Sequence, residues 1–231
     1  MTTSGTYTFD PSLGELTLYA FNLIGIRNTS LVQEHMHSAK MATNMMLANW
    51  ANRGVNLWAV DLVTTPLVQG QATYTVDQST VMILDAYMAT VNSGGVEIDR
   101  IILPVSRTEY ASYPNKDQQG FTTTFWFDRL ISPNVTLWPV PDGSSAQYLK
   151  YYRVRQIQDS NLANGQAVEI PYLWLEAFAD GLSYRLSRVW NPTMAQGLKA
   201  ISDESYNIAA AQNIEQAQQY ISPQLSGYYR A

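Results

Sequence analysis

The hydrophobic period of this chain switches over residues Leu57–Asp77, LWAVDLVTTPLVQGQATYTVD, and that switch constrains the fold more than any other feature. Trp58, Val60 and Leu62 alternate with Ala59, Asp61 and Val63, as a strand with one buried face requires. Ala72, Tyr74 and Val76 alternate again after Gln69-Gly70. Gly70 supplies the turn, because glycine takes positive φ without a Cβ clash. The stretch predicts a β-hairpin or a strand pair with a short loop. The pattern before it is helical, the pattern from it to about residue 158 is β, and the chain then turns helical again.

The helical parts follow from caps and stripes. Asp10-Pro11 predicts a helix start, with Leu13, Leu16, Ala20, Leu23 and Ile24 on one face. Arg27–Ser30 closes that helix and offers Ser30 as the next cap, with Glu34 one place past a capping box. A second helix is expected over about Leu31–Arg53. Its stripe is Val32, Met36, Ala39, Met46 and Trp50, widened by Ala42 and Met45, and Gly54 stops it. Beyond a polar return loop at residues 158–168, Pro171 opens a helix to about Trp190 with the stripe Leu175, Phe178, Leu182, Leu186 and Val189. Asn191-Pro192 ends it and caps a last helix carrying Met194, Leu198, Ile201 and Ile208. The second half of that helix has few large apolar side chains, so it is expected to pack on a neighbour or to project from the body.

The middle of the chain supplies about seven short strands. They lie at Val81–Val91 and Val96–Val105, at Phe121–Arg129 and Val135–Val140, and at Tyr148–Ile157, besides the opening pair. Ser106–Ser112 is a short helical turn capped by Ser106, and Pro139 and Pro141 end a strand because neither donates to a ladder. The fold class is therefore α+β: a helical bundle of about four helices with an inserted antiparallel β sandwich or barrel module. The divisions are residues 10–54 for the N-terminal helical hairpin, 55–158 for the β module, 169–221 for the C-terminal helices, and 222–231 for a tail.

Composition narrows the function. Apolar residues make up 46% of the 231, enough for a core, while charged residues are only 14% against the usual quarter or so. Ser, Thr, Asn, Gln and Tyr replace the missing charge, which gives a neutral, hydrogen-bonding surface suited to protein contacts. The 15 Tyr and 6 Trp include the residue types that anchor interfaces. Net charge is −5 with no run of Lys or Arg, which argues against tight non-specific DNA binding. No Cys is present, so neither a disulfide framework nor a thiolate metal site is expected. The first ten residues lack the basic and apolar segments of a signal peptide, and no apolar run reaches the ~18 residues of a membrane span.

No stretch carries a catalytic signature. GxxxxGK[ST], GxGxxG after a strand and GxSxG are all absent from the sequence. His35 and His37, the only histidines, point to different sides of a helix and cannot make an i, i+4 metal pair. Asp85, Asp99, Glu109 and Asp128 are carboxylates in or beside the β module, but they read as solvated strand or turn residues. Arg107, Lys116 and Arg129 form at most a local basic spot. Catalytic, cofactor and metal residues are accordingly expected to be none. Exposed aromatics such as Trp126 or Trp138 leave glycan binding open, and a cell-wall hydrolase is a further alternative.

Three strings carry a family resemblance: GQATYTV at Gly70–Val76, LPVSRTEYASYPNKDQQG at Leu103–Gly120, and LWPVPDG at Leu137–Gly143. In this order, between two helical halves, they resemble the head-to-tail adaptor proteins of short-tailed bacteriophages, also called connector, head-completion or tail accessory proteins. The resemblance covers most of residues 10–220. It implies a structural virion protein without enzymatic activity, assembled in the bacterial host cytoplasm and placed at the head–tail junction. It also implies a homo-oligomeric ring of about twelve copies beneath the portal protein. The C-terminal helix and tail would contact the portal, the β module would face the tail nozzle protein, and packaged DNA would pass through the channel without sequence-specific contact. The tail residues expected at the portal interface are Tyr220, Leu225, Tyr228, Tyr229 and Arg230. A tail-tube or nozzle subunit is the nearest alternative.

Overall fold

The structure is a computed structural model that describes residues 3–54, 56–92, 94–162 and 165–214. Its first helix, α1 (Leu13–Leu23), starts two residues later than Asp10-Pro11 suggests. Ser12 is the cap, and its hydroxyl accepts from the Glu15 amide at 3.3 Å while the Glu15 carboxylate accepts from the Ser12 amide at 2.8 Å. This reciprocal box satisfies two amides left free by the first turn. Residues Asn28–Ser30 form a 3-10 turn, so Ser30 is not a cap. The second helix, α2 (Gln33–Arg53), begins after Val32, whose amide donates to His35 Nδ1 at 3.3 Å. Gly54 follows it in extended backbone rather than the left-handed conformation.

After a 3-10 turn at Leu57–Ala59 the chain enters its β part. The strands are β1 (Val60–Pro66), β2 (Thr73–Thr75), β3 (Thr80–Val91) and β4 (Glu97–Pro104). A short helix α3 (Arg107–Ser112), capped by Ser106, leads to β5 (Gln119–Gly120), β6 (Thr124–Asp128), β7 (Asn134–Trp138), β8 (Val140–Pro141) and β9 (Ala146–Arg155). Seven of these form one sheet in the order β1-β9-β3-β4-β6-β7-β2, and β5 pairs with β8 in a separate two-stranded ladder. The β4–β6 junction is parallel and only two residue pairs long, whereas the other pairings of the large sheet are antiparallel. The sheet is curled into a half-barrel; a closed sandwich is not what forms.

The expected hairpin at Leu57–Asp77 is not one. β1 pairs with β9 and β2 pairs with β7, so the two strands lie at opposite edges of the sheet. Gly70 does make its turn, with φ +77°, but the turn bridges the two edges. This connection explains the curl. Seven flat strands spaced ~4.8 Å apart would hold their edges ~29 Å apart. Residues 67–72 join those edges and fold back in the turn from Val68 to Gln71, which limits their reach to about 21 Å. Only a curved sheet brings its edges that close. Pro139 interrupts β7 and β8 as expected, whereas Pro141 sits within β8, where its carbonyl accepts from the Gly70 amide at 2.9 Å.

After the return loop and a 3-10 turn at Tyr172–Trp174, α4 (Leu175–Trp190) and α5 (Ala195–Gln212) complete the described chain. α4 is the helix that the others share, since α1, α2 and α5 all pack on it. Its inward side carries Ala177, Ala179, Gly181, Ser183 and Ser187 between the larger Phe178, Leu182 and Leu186. Small residues there let neighbouring helices approach closely. The helical core gathers Leu13, Phe21, Met46, Trp50, Phe178 and Leu182 from both halves of the chain. Each large side chain buried there contributes about 1.5–3 kcal/mol of transfer free energy. A second core, built on Tyr74, Met88, Ile102, Leu137, Leu149 and Tyr151, fills the concave side of the sheet.

Several stripe residues sit outside these cores. Val32, Met45 and Val189 are exposed, and so are Ile201 and Ile208. In α5 the inward side is held by Leu198, Tyr206 and Ala209 instead.

Candidate interaction surfaces

A charged clamp joins the sheet to the return loop. Arg153 on β9 grips Asp61 on β1 with two bonds, Nε to Oδ1 at 2.8 Å and Nη2 to Oδ2 at 3.3 Å, and donates to Thr80 Oγ1 at 3.0 Å. Two residues on, Arg155 pairs with Glu169, which also accepts from the Gln158 amide at 2.9 Å. Hydrogen bonding from Arg155 holds the Glu169 carboxyl below the usual carboxylate range, against partial burial. Asp61 and Glu169 in turn hold the two guanidiniums charged. The clamp is structural in its chemistry: opposite charges are matched, and bidentate geometry fixes one edge strand to its neighbour.

The carboxylates weighed from sequence are not brought together. Asp128 accepts from the Asn134 amide at 2.6 Å, within a turn. Asp99 lies 3.4 Å from Lys150, which also pairs with Glu97. Glu109 stands in the first turn of α3, and Asp85 sits exposed where β3 departs from its register with β9. Among the described residues no group of three or more His, Cys, Asp or Glu converges as a metal site would require. His35 is instead a packing residue, stacked on Trp190 with centroids 4.0 Å apart and set edge-on to Phe21 at 5.6 Å. Lys116 is spent locally, donating to the carbonyls of Ala111 and Tyr113 at 3.2 Å each.

The two tryptophans considered for glycan contact are already covered on one face. Tyr110 of α3 stacks on Trp126 at 5.6 Å, and Tyr113 stacks on Trp138 at 4.2 Å. Trp138 Nε1 also donates to the Asn115 carbonyl at 2.9 Å. These rings fasten the segment from α3 to β5 onto β6 and β7. The Tyr-x-x-Tyr spacing across α3 was the sequence signal for it, since i and i+3 share a helix face.

Several apolar surfaces of the described residues stay open. The convex face of the sheet exposes Leu62, Ile101, Leu103 and Tyr152. A groove of about 620 Å³ lies between the extended N-terminal segment, α1 and the start of α4; Phe9, Tyr19, Tyr172 and Leu173 line it, with Glu15 and Glu176 at its rim. The exposed sides of α2 and α5 are two further, separate surfaces. On α2, Met41 and Met45 are 45% and 58% exposed; on α5, Ile201 and Ile208 are 50% and 65% exposed. Exposed large apolar residues that recur along one element mark contact surfaces.

The end of α5 is tied to the start of the sheet, where Asn213 Oδ1 accepts from the Leu57 amide at 3.1 Å. Arg53 at the end of α2 lies over the Tyr206 ring at 4.3 Å, which fixes the same corner. The tail residues Tyr220, Leu225, Tyr228, Tyr229 and Arg230 lie outside the described residues. No helix of the described residues is long and apolar enough to cross a membrane.

A mixed α and β fold whose described residues leave apolar faces open offers surfaces for protein contacts. Residues 30–226 match the family model of the SU10 adaptor protein, which covers most of the chain. The chain belongs to that family and is a phage head-to-tail adaptor. Adaptors of this family are structural proteins of the virion that associate with head and tail components. A search of curated proteins found no match.

Proposed function

We propose that this adaptor forms a ring of about twelve copies between the portal and the tail nozzle, with no catalytic activity of its own. The observation that carries this reading is the adaptor family match over residues 30–226. Open apolar faces on α2, α5 and the convex sheet support it, because a ring subunit must bury surface against two neighbours and against partners above and below. In this reading the helices from both halves form the bundle, and the β module inserted between them faces the nozzle. The tail, with Tyr220, Leu225, Tyr228, Tyr229 and Arg230, reaches the portal. The ring extends the DNA channel and helps retain the packaged genome. A net charge of −5 suits a channel wall that DNA slides past without being gripped.

The tail assignment is tested by deleting residues 222–231 and measuring co-purification with the portal protein of the same phage. Loss of portal binding with unchanged circular dichroism is expected. Normal binding by the shortened chain would remove the tail from the portal interface.

A further inference from the structure

We infer that the outward face of α2 in one copy packs antiparallel on the outward face of α5 in the next, and that this contact links the ring. The inference rests on the ring reading above and specifies its interface. On α2, His37, Met41 and Met45 recur at four-residue steps on the side opposite the buried Ala39, Thr43 and Met46. On α5, Ile201, Glu204 and Ile208 recur at steps of three and four along an exposed flank beside the buried Leu198 and Ala209. Both are narrow apolar seams at the spacing by which one helix receives another. Each is open to solvent in the single chain.

Charge selects the partner. Glu204 interrupts the α5 seam, with Asp203 beside it, and Lys40 flanks the α2 seam. The ion pairs among the described residues all involve Lys150, Arg153 or Arg155, so these three helical charges make none among the described residues. Two α5 faces about a twofold axis would bring Glu204 and Asp203 toward their own copies, and like charges repel. Two α2 faces would leave Lys40 without an opposite charge. An antiparallel α2–α5 pair sets Met45 beside Ile201 and His37 beside Ile208, and it places Lys40 next to Glu204. Because the two faces are unlike, the contact is head-to-tail. Each copy keeps one face free for the next, which is the requirement for a closed ring rather than a dimer.

The absence of cysteine allows a direct test. Met45→Cys and Ile201→Cys are made singly in the full chain, one of them carrying a size tag, and assembled together on the portal. A short bismaleimide is then added and products are resolved on a denaturing gel. Only dimers containing one of each variant are expected, and the double variant should give a ladder of higher multimers. The charge-swapped Lys40→Glu should reduce ring yield, and adding Glu204→Lys should restore it. Dimers of a single variant with itself, or rings visible by negative stain that do not cross-link, would overturn the α2–α5 pairing while leaving the ring intact. A protein that joins the portal without any ring would overturn the ring reading and this inference with it.

Discussion

Gly181 on α4 faces Met46 on α2 so closely that a Cβ on the glycine would lie 2.6 Å from the methionine Sδ. That approach is what lets α2 seat on the shared helix, with Met46 fully buried against it. Gly181→Ala gains about 1 kcal/mol of helix propensity but forces Met46 off its position, at a strain of about 1–3 kcal/mol. Net destabilisation of about 1 kcal/mol is expected in urea denaturation. In a Met46→Ala background the same substitution should be neutral or stabilising. Equal effects in both backgrounds would show that the two residues do not meet.

Thr17 on α1 and Thr43 on α2 are fully buried, and neither hydroxyl has a hydrogen-bond partner among the described residues. Valine keeps the shape and removes the unpaired oxygen. Thr17→Val and Thr43→Val should therefore each stabilise the fold, by about 1 kcal/mol, seen as a higher Tm. A lower Tm for either would mean that its hydroxyl is satisfied in solution.

The helices and the strands of this fold are legible in the sequence, and their partners are not. Nearly every strand expected from alternation exists, because period-2 patterning is local. The pairing of β1 with β9 and of β2 with β7 depends on residues 59 or more positions apart, which no local pattern encodes. The alternating residues of Leu57–Asp77 read locally as a hairpin because adjacent strands usually pair. The Ser12–Glu15 box was written in the sequence as Ser-x-x-Glu, and Asp10-Pro11 masked it as a competing start. Ile201 and Ile208 misled for a physical reason. Apolar periodicity marks a face that will be covered, and it does not say whether the cover is the same chain. The Asp61–Arg153 and Arg155–Glu169 pairs were invisible, since a salt bridge between distant elements leaves no spacing signal. The expected portal residues of the tail lie beyond the described part of the structure.

Glu169 supplies a pH-dependent share of stability. Its carboxyl is held low, chiefly by Arg155, so its stabilising effect is complete above the ordinary carboxylate pKa of ~4.3 and fades as pH falls through the lower folded value. Glu169→Gln should cost about 1 kcal/mol at pH 7, the partly exposed site limiting the effect. The gap between the two proteins should close as pH drops through the acid range. A constant gap down to acid pH would show that the clamp does not depend on charge.

Asp180 on α4 behaves in the opposite sense. Burial raises its pKa, a bond from Ser205 on α5 only partly offsets this, and Glu176 adds to the rise. A raised folded pKa means that the folded protein holds this proton longer than the unfolded chain, so stability falls as pH climbs past ~3.9 and through the folded value. Asp180→Asn should raise the Tm at pH 7 by a gain below about 1 kcal/mol, and should have no effect near pH 3. A lower Tm at pH 7 would make the carboxylate a net stabiliser of the α4–α5 contact.

The position of this protein in the particle is tested by co-expression with the portal protein of the same phage, followed by negative-stain imaging. A collar of added density beneath the portal ring is expected, with symmetry that gives the copy number. Bare portals beside free protein that builds its own rings or tubes would contradict it and point to a tail-tube subunit.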